Sequence, residues 1–113
     1  SEYRSKLREL SKSARENIDI TKTPPVDVAD FVDHIDYLVA KIGLDHVGIS
    51  SDFDGGGGVY GWNDASETLN VTAELVKRGY KEDQIAQLWS GNLLRVLDEV
   101  EKVAKQTQAE EVE

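Results

Sequence analysis

The order of the predicted elements indicates an α/β fold, mostly helical, with one short strand between amphipathic helices. Apolar residues recur every three or four positions over about 27–42, which predicts a helix. A short, partly β-branched segment with glycines on both sides predicts a buried strand at about 46–51. A further helix is predicted from Asp64 to about Arg78, and the order helix, strand, loop, helix is that of a parallel sheet.

The single strand implies neighbours that this sequence does not supply. A lone strand cannot satisfy its own N–H and C=O groups, and three or more strands are needed for a stable sheet. Either the chain is a fragment of a larger sheet protein or 46–51 is not a strand. We favour the fragment, in agreement with a sequence that contains no methionine and begins with Ser1.

The helix over 27–42 has the clearest boundaries. Asp27 is suited to an N-cap, Asp30 favours the positive helix start, and Gly43 occupies the C′ position. Its predicted inward face consists of Val28, Phe31, Ile35, Leu38 and Ile42, widened by Val32 and Val39.

Four further segments are assigned by the same patterns. Residues 1–16 form an amphipathic helix, and Pro24-Pro25 ends the connector after it. Asp64 and Glu67 resemble a capping box, and the helix that they open is expected to turn Leu69, Thr72 and Val76 inward. The remaining two are a short helix from Lys81 to Trp89 and a final helix from Leu93, with Gly91 breaking the chain and Asn92 as N-cap.

The domain organisation is one main unit with two appendages. Residues 1–25 are a helix and linker, residues 26–105 are the main unit, and residues 106–113 are expected to be a disordered acidic tail. A chain of 113 residues has room for one domain.

Composition excludes several classes of function. With 22 acidic against 13 basic residues the net charge is −9, which argues against nucleic acid or an anionic membrane as partner. No apolar run approaches the roughly 20 residues of a transmembrane helix, and no signal peptide is visible. The absence of cysteine excludes disulfides, thiolate catalysis and cysteine-ligated zinc.

The candidate site lies where the predicted strand ends. Asp52 and Asp54 follow it, and a turn after Asp52 would bring both carboxylates to one place, suited to proton transfer or cation binding. Asp54 has a second interpretation as a cap of the glycine loop 55–58. Tyr60 and Trp62 either wall a pocket or form a hydrophobic cover over the mouth of a barrel. His34 and His46 lie on different elements, and both are interpreted as structural.

Two runs of sequence form recognisable motifs, Asp33–Tyr37 and Gly43–Gly55, the latter including the sequence SDFDG. With them the chain resembles the membrane dipeptidase (renal dipeptidase) family of zinc peptidases, and the resemblance covers about Val26 to Val103. Lys77–Tyr80 and the GNLLRV segment, Gly91–Val96, fit the C-terminal end of the family in order and spacing. The glycine run followed by YGWND is similar to the bacterial branch.

The resemblance implies a C-terminal portion of a (β/α)₈ barrel that hydrolyses dipeptides with two zinc ions. It assigns to Asp52 the role of acid/base beside the zinc-bound water, and the loop from Gly55 to Trp62 would form part of the rim of the site. Asp54, Tyr60 and Trp62 are candidate substrate contacts from their positions in the sequence and not from the resemblance. The zinc ligands of the family come from earlier strands, so the resemblance places no metal ligand in this chain and implies that the fragment alone is inactive. Residues 1–25 would be an insertion after the seventh strand.

Two alternatives stay open: a non-catalytic helical interaction domain and a different metal-dependent barrel hydrolase. The expected partners are a dipeptide and either the rest of the barrel or a second copy that pairs through 46–51. If 46–51 abandons strand structure, the helices are expected to collapse into a small bundle. Export to the periplasm or medium fits the resemblance, while the compartment and the preference for L- or D-dipeptides stay unassigned.

Overall fold

The computed structural model describes residues 2–17, 19, 21–22 and 24–111, and most of these are helical. Two short 3₁₀ turns precede helices or extended chain, at Leu44–His46 and Ala65–Glu67. One π-helical turn, Gln87–Gly91, joins the fourth helix to the fifth without a break. The helices are α1 Glu2–Glu16, α2 Val28–Ile42, α3 Thr68–Lys77, α4 Glu82–Ala86 and α5 Asn92–Glu110.

The predicted strand at 46–51 is not a strand in the structure. His46 ends a 3₁₀ turn, and the chain then continues extended, with Val47 at φ −113° and ψ 135°. Across the described ranges the β-pairing is limited to isolated bridges, Asp27 with Tyr60 and Val59 with Trp62. The physical reason is the absence of a partner strand among these residues, so helices take up the backbone groups of the segment instead. The alternative expectation is met in part: the segment is not a strand, and α2, α3 and α4 pack together, whereas α1 and most of α5 lie outside the packed region.

Helix α2 begins and ends as predicted. The Asp27 carboxylate accepts from the Asp30 N–H at 3.1 Å, and the Asp27 N–H donates to the Asp30 carboxylate at 3.0 Å. Gly43 ends the helix with φ +90°, and its N–H donates to the Val39 carbonyl at 3.0 Å. The inward face is narrower than predicted, since Val32 and Ile35 are buried whereas Leu38 and Ile42 are exposed.

The inward face of α3 differs from the prediction. Val71 and Leu75 are fully buried, whereas Leu69 is 74% exposed and Val76 also points to solvent. The residues that precede α3 form a 3₁₀ turn capped by Asp64, whose carboxylate accepts from the Ser66 N–H at 2.8 Å. Because that turn and the contact with α2 set the rotation of α3, periodicity alone selected the wrong one of two apolar faces.

The predicted break at Gly91 and Asn92 is also wrong. Asn92 has helical angles, φ −65° and ψ −44°, and its N–H bonds to the Gln87 carbonyl five residues earlier. Asn92 is therefore part of a π-helical turn and not an N-cap. The helix then continues to Glu110, so 106–110 are helical and exposed instead of a disordered tail, and Val112 and Glu113 lie outside the described residues.

The core lies where α2, α3, α4 and the extended segment meet. Its buried apolar side chains are Val32, Ile35, Val47, Trp62, Val71, Leu75, Ile85 and Leu88. Helix α1 buries no side chain, and α5 buries only Asn92 at its start. In the part of the chain that is described, none of the helices has the length and apolar character to cross a membrane.

One charged side chain joins α2 to α3. Arg78 donates to the carboxylates of Asp33 and Asp36 at 2.6 Å each, to Glu74 at 3.0 Å and to the Ala29 carbonyl at 2.8 Å. These bonds raise the pKa of the Arg78 guanidinium above its usual range, with the bonds to Asp36 and Asp33 as the main causes. The guanidinium therefore fixes the packing of α3 on α2, which in turn supports the loops at one end of both helices.

Candidate active-site loop

The loop that carries the two aspartates turns sharply after Asp52, as the sequence predicts. The Asp52 carbonyl accepts two hydrogen bonds, from Gly55 N–H at 3.0 Å and from Gly57 N–H at 2.9 Å. The Ser51 hydroxyl accepts from the Phe53 N–H at 3.3 Å, just before the turn. The loop is therefore closed on itself by backbone bonds that converge on the Asp52 peptide.

Both aspartates have the left-handed backbone conformation, with φ 52° at Asp52 and φ 64° at Asp54. This conformation costs about 1–2 kcal/mol for most residues, and aspartate tolerates it better than most. Both carboxylates are exposed, whereas Phe53 between them is half-buried and packs edge-on against Trp62 at 5.4 Å. The two strained residues thus keep their carboxylates on the open side while Phe53 anchors the loop to the core.

Glycine is required at two positions of this loop. A Cβ at position 57 would lie 1.9 Å from the Ser51 carbonyl oxygen, which is backbone and cannot move aside. A Cβ at position 55 would lie 2.4 Å from the Asp52 carboxylate. Close approach to Ser51 and Asp52 thus explains Gly55 and Gly57, whereas Gly56 and Gly58 have φ of 115° and 118°, which favours glycine.

Tyr60 and Trp62 have opposite environments. Tyr60 is 72% exposed, so its ring is available to a ligand. Trp62 is only 4% exposed, with ring contacts to Phe31 at 5.0 Å and Trp89 at 6.0 Å. Its indole N–H donates to the Thr68 hydroxyl at 3.2 Å. Trp62 is therefore part of the core, which leaves it little surface for a substrate, and the cover over a barrel mouth stays a prediction.

The described residues do not bring metal ligands together. His34 lies exposed on α2, and His46 lies exposed at the end of the 3₁₀ turn. In the described ranges no group of three or more histidine, aspartate or glutamate side chains is placed to hold a metal ion. These residues therefore do not fit a zinc centre, and whether the chain binds zinc stays a prediction.

Sequence reasoning missed the role of Asn92. This side chain is 5% exposed and its amide donates to the carbonyls of Leu44, at 2.7 Å, and Val47, at 2.9 Å. The signal was present in the sequence, because a polar asparagine stands at the start of an apolar helix face behind Gly91. The same pattern is typical of an N-cap, so sequence alone gave the wrong one of two interpretations.

Comparison with known proteins agrees with the motifs around Asp52. Residues 11–111 match the family model described as membrane dipeptidase, peptidase family M19. Dipeptidase ataJ of Aspergillus terreus is 48% identical over 80 residues, which are 70% of this chain and 20% of that protein. Human dipeptidase 3 is 35% identical over 85 residues, or 74% of this chain and 17% of that protein.

A solved structure agrees as well. The crystal structure of the probable dipeptidase PvdM from Pseudomonas aeruginosa is 57% identical, with a TM-score of 0.69 over 74% of this chain and 21% of that one. The likeness in fold and sequence is to one segment of that probable dipeptidase. The chain belongs to the membrane dipeptidase family, peptidase family M19, which confirms the family that the motifs indicate. It spans about a fifth of the length of the curated relatives that it matches.

Proposed function

We propose that this chain is the C-terminal part of a (β/α)₈-barrel dipeptidase and that Asp52 is its acid/base residue. The observation that carries the proposal is the Asp52 loop of a family member: an exposed carboxylate on a strained backbone, fixed by two backbone bonds and by Phe53. In barrels of this kind, catalytic groups follow the carboxyl ends of the strands. The extended segment 47–51 ends at Asp52, which agrees with that position.

The proposed chemistry of Asp52 is proton transfer. Hydrolysis of a dipeptide needs a proton removed from the attacking water and a proton given to the departing amine. A carboxylate can do both in turn, because the proton that it accepts in the first step is the one that it returns in the second. Asp52 is exposed, so both the water and the amine nitrogen can reach it.

We further propose that the whole enzyme depends on zinc, as the family resemblance implies. Because the described residues fit no zinc site, the ligands would come from other parts of a longer protein, and the 113-residue chain alone would be inactive. We also propose that this longer protein belongs to the bacterial branch of the family and is exported.

Asp54 and Tyr60 are proposed as substrate contacts. The Asp54 carboxylate is exposed on the same loop and suits the free ammonium group that every dipeptide carries. The exposed Tyr60 ring offers an apolar surface with a hydroxyl group to a side chain of the substrate. A contact from Trp62 would be limited to the small edge of its ring that remains exposed.

A second candidate function is a non-catalytic helical interaction domain. It is favoured by one observation, the exposed apolar side chains along α1 and α5. The strained aspartate loop has no purpose in such a domain, whereas it is expected in an enzyme. The catalytic proposal therefore accounts for more of the structure.

The test is Asp52→Asn in the full-length enzyme that contains this chain. We expect kcat for dipeptide hydrolysis to fall by about 10²–10⁴-fold, the usual effect of losing a general acid/base, with the zinc content unchanged. Asp98→Asn, the same change at an exposed position on α5, is the matched control and should leave kcat within about twofold.

Two results would contradict the proposal. One is an Asp52→Asn enzyme with activity within about threefold of wild type. The other is a loss of activity fully explained by lost zinc. The dialysed 113-residue chain is expected to hold no stoichiometric zinc by elemental analysis, and tight binding would place ligands in this chain after all.

A further inference from the structure

We propose that Asn92, together with the π-helical turn before it, is a positioning residue that fixes the extended segment leading to Asp52. The inference rests on the proposed function of Asp52. It concerns a residue that makes no contact with the carboxylate itself and acts through the backbone of 44–49. The GNLLRV segment thereby gains a role in the active site, although it lies on a helix behind it.

The Asn92 amide is a buried and fully used donor. Its two N–H groups donate to the carbonyls of Leu44 and Val47, at 2.7 and 2.9 Å. Its oxygen accepts from the Arg95 guanidinium at 3.0 Å and lies 3.5 Å from the Gln87 amide nitrogen. An apolar residue at position 92 would leave two carbonyls without these donors, and an aspartate would set an acceptor against them.

The π-helical turn supplies a third bond to the same segment. The Asn92 N–H bonds to the Gln87 carbonyl and not to the Leu88 carbonyl, its usual α-helical partner. The Leu88 carbonyl accepts instead from the Ile49 N–H at 3.0 Å. The wider turn therefore exposes a helix carbonyl that takes the place of a neighbouring strand.

Arg95 adds to these bonds, and together with Gln87, Leu88 and Asn92 it forms a clamp on the extended segment. The Arg95 guanidinium donates to the Asp45 carbonyl at 2.6 Å, and the Gln87 amide donates to the Asp45 carboxylate at 2.9 Å. Residues 44, 45, 47 and 49 are therefore all held from one stretch of helix.

The clamp sets the position of Asp52 because the chain between them is short and extended. Asp52 lies three residues beyond Ile49, a distance of about 10 Å in extended chain. In extended chain a shift by one residue reverses the direction of every side chain that follows. Fixing 44–49 at four residues prevents such a shift and so determines where the Asp52 turn begins.

The experiment compares Asn92→Asp with Val71→Ala in the full-length enzyme. Asn92→Asp keeps the shape and removes both donors, whereas Val71→Ala destabilises the core at a residue that makes none of the hydrogen bonds of the clamp. We expect Asn92→Asp to lower kcat at least tenfold, with KM within about threefold and zinc content unchanged. We expect Val71→Ala, at a similar fall in Tm, to leave kcat within about twofold.

Two further readouts separate positioning from a general loss of stability. Hydrogen exchange of the peptide that contains Ile49 should be at least tenfold faster in Asn92→Asp and unchanged in Val71→Ala. In an Asp52→Asn background, Asn92→Asp should lower kcat by less than about twofold, because both changes act on one group. If Asn92→Asp does not fold, Arg95→Met removes the bonds to the Asp45 carbonyl and to the Asn92 oxygen but leaves both Asn92 donors in place, and it should lower kcat about threefold.

The proposal is overturned if Asn92→Asp keeps kcat within twofold while exchange at Ile49 rises. It is also overturned if Val71→Ala loses as much kcat as Asn92→Asp. Both outcomes are distinct from failure of the proposed function, which would appear as a fully active Asp52→Asn enzyme.

Discussion

The middle of the chain and its two terminal helices differ in how they use apolar residues. Between Asp27 and Asn92 most of the large apolar side chains meet in one core, and the buried polar side chains are paired. Helix α1 has a regular apolar stripe that includes Leu7 and Leu10, yet it buries none of it. Helix α5 carries a longer stripe, also exposed, whose members are Leu93, Val96, Leu97, Val100 and Val103.

The difference shows that an amphipathic pattern indicates that a helix packs against a partner, but it does not show that the partner lies in the same stretch of chain. Most of the stability of a helix in a protein comes from packing its apolar face. The middle region finds its partners within the described residues, whereas α1 and α5 do not. Exposed apolar stripes of this length mark surfaces that another part of a longer protein, or a second copy, would cover.

The largest expected effect follows from the uncovered stripes. The 113-residue chain should self-associate with a micromolar Kd, and such a Kd corresponds to a binding free energy of about 8 kcal/mol. Pairing through 46–51 is one route, but the Ile49 N–H and the Val47 carbonyl are already bonded to the helices, so α5 offers the more open surface. Analytical ultracentrifugation over a concentration series measures the association.

Two variants identify the surface that carries the association. Val100→Lys introduces a charge into the α5 stripe and should shift the chain toward monomer, whereas Ile49→Thr tests the extended segment and should have the smaller effect. A folded monomer at all concentrations would refute the expectation.

The second effect compares a core residue with a terminal one. Trp62→Ala removes a buried ring with three aromatic neighbours and should lower the free energy of unfolding by about 3–5 kcal/mol. Leu10→Ala removes an exposed side chain of α1 and should change it by less than about 0.5 kcal/mol. Urea denaturation monitored by circular dichroism measures both. Equal effects would show that α1 is packed in solution.

The third prediction concerns the charged contact between α2 and α3. Arg78→Met should lower the free energy of unfolding by about 2–3 kcal/mol, since it removes bonds to three carboxylates and one carbonyl. Arg78→Lys should restore little, because an ammonium group cannot reproduce the planar fork. The control is Lys77→Met at the neighbouring position, where Lys77 makes one exposed ion pair at 3.4 Å. This variant should change the free energy of unfolding by less than about 0.5 kcal/mol. A fully stable Arg78→Lys would contradict this interpretation.

The smallest expected effect is a loss of stability at alkaline pH. Burial, with a hydrogen bond from the hydroxyl to Asp36 at 2.7 Å, raises the pKa of Tyr80 to about 12 from its ordinary value of 10.0. The folded state thus favours the neutral phenol of Tyr80. The contribution of this phenol to the free energy of unfolding is complete below pH 10 and is lost as pH rises toward 12. The stability difference between wild type and Tyr80→Phe should shrink over that window. A difference that stays constant from pH 9 to 12 would exclude the linkage.

The features that could be predicted from sequence are local ones. The boundaries of α2 follow from Asp27 and Gly43 because a cap involves only residues within one or two turns. The turn after Asp52 follows from the glycines in the same way. The family follows from motifs, which are also contiguous runs of sequence, and so the candidate Asp52 was found without any knowledge of packing.

Tertiary structure decided what depends on contacts between distant residues. Which face of α3 is buried, whether 46–51 pairs as a strand, and whether Asn92 caps a helix or clamps a segment more than forty residues away all depend on the neighbours present in space. A sequence pattern shows that a helix has an apolar face and that an asparagine has two donors. Only the fold supplies the partner, because burial and hydrogen-bond satisfaction are properties of the assembled core and not of any one segment.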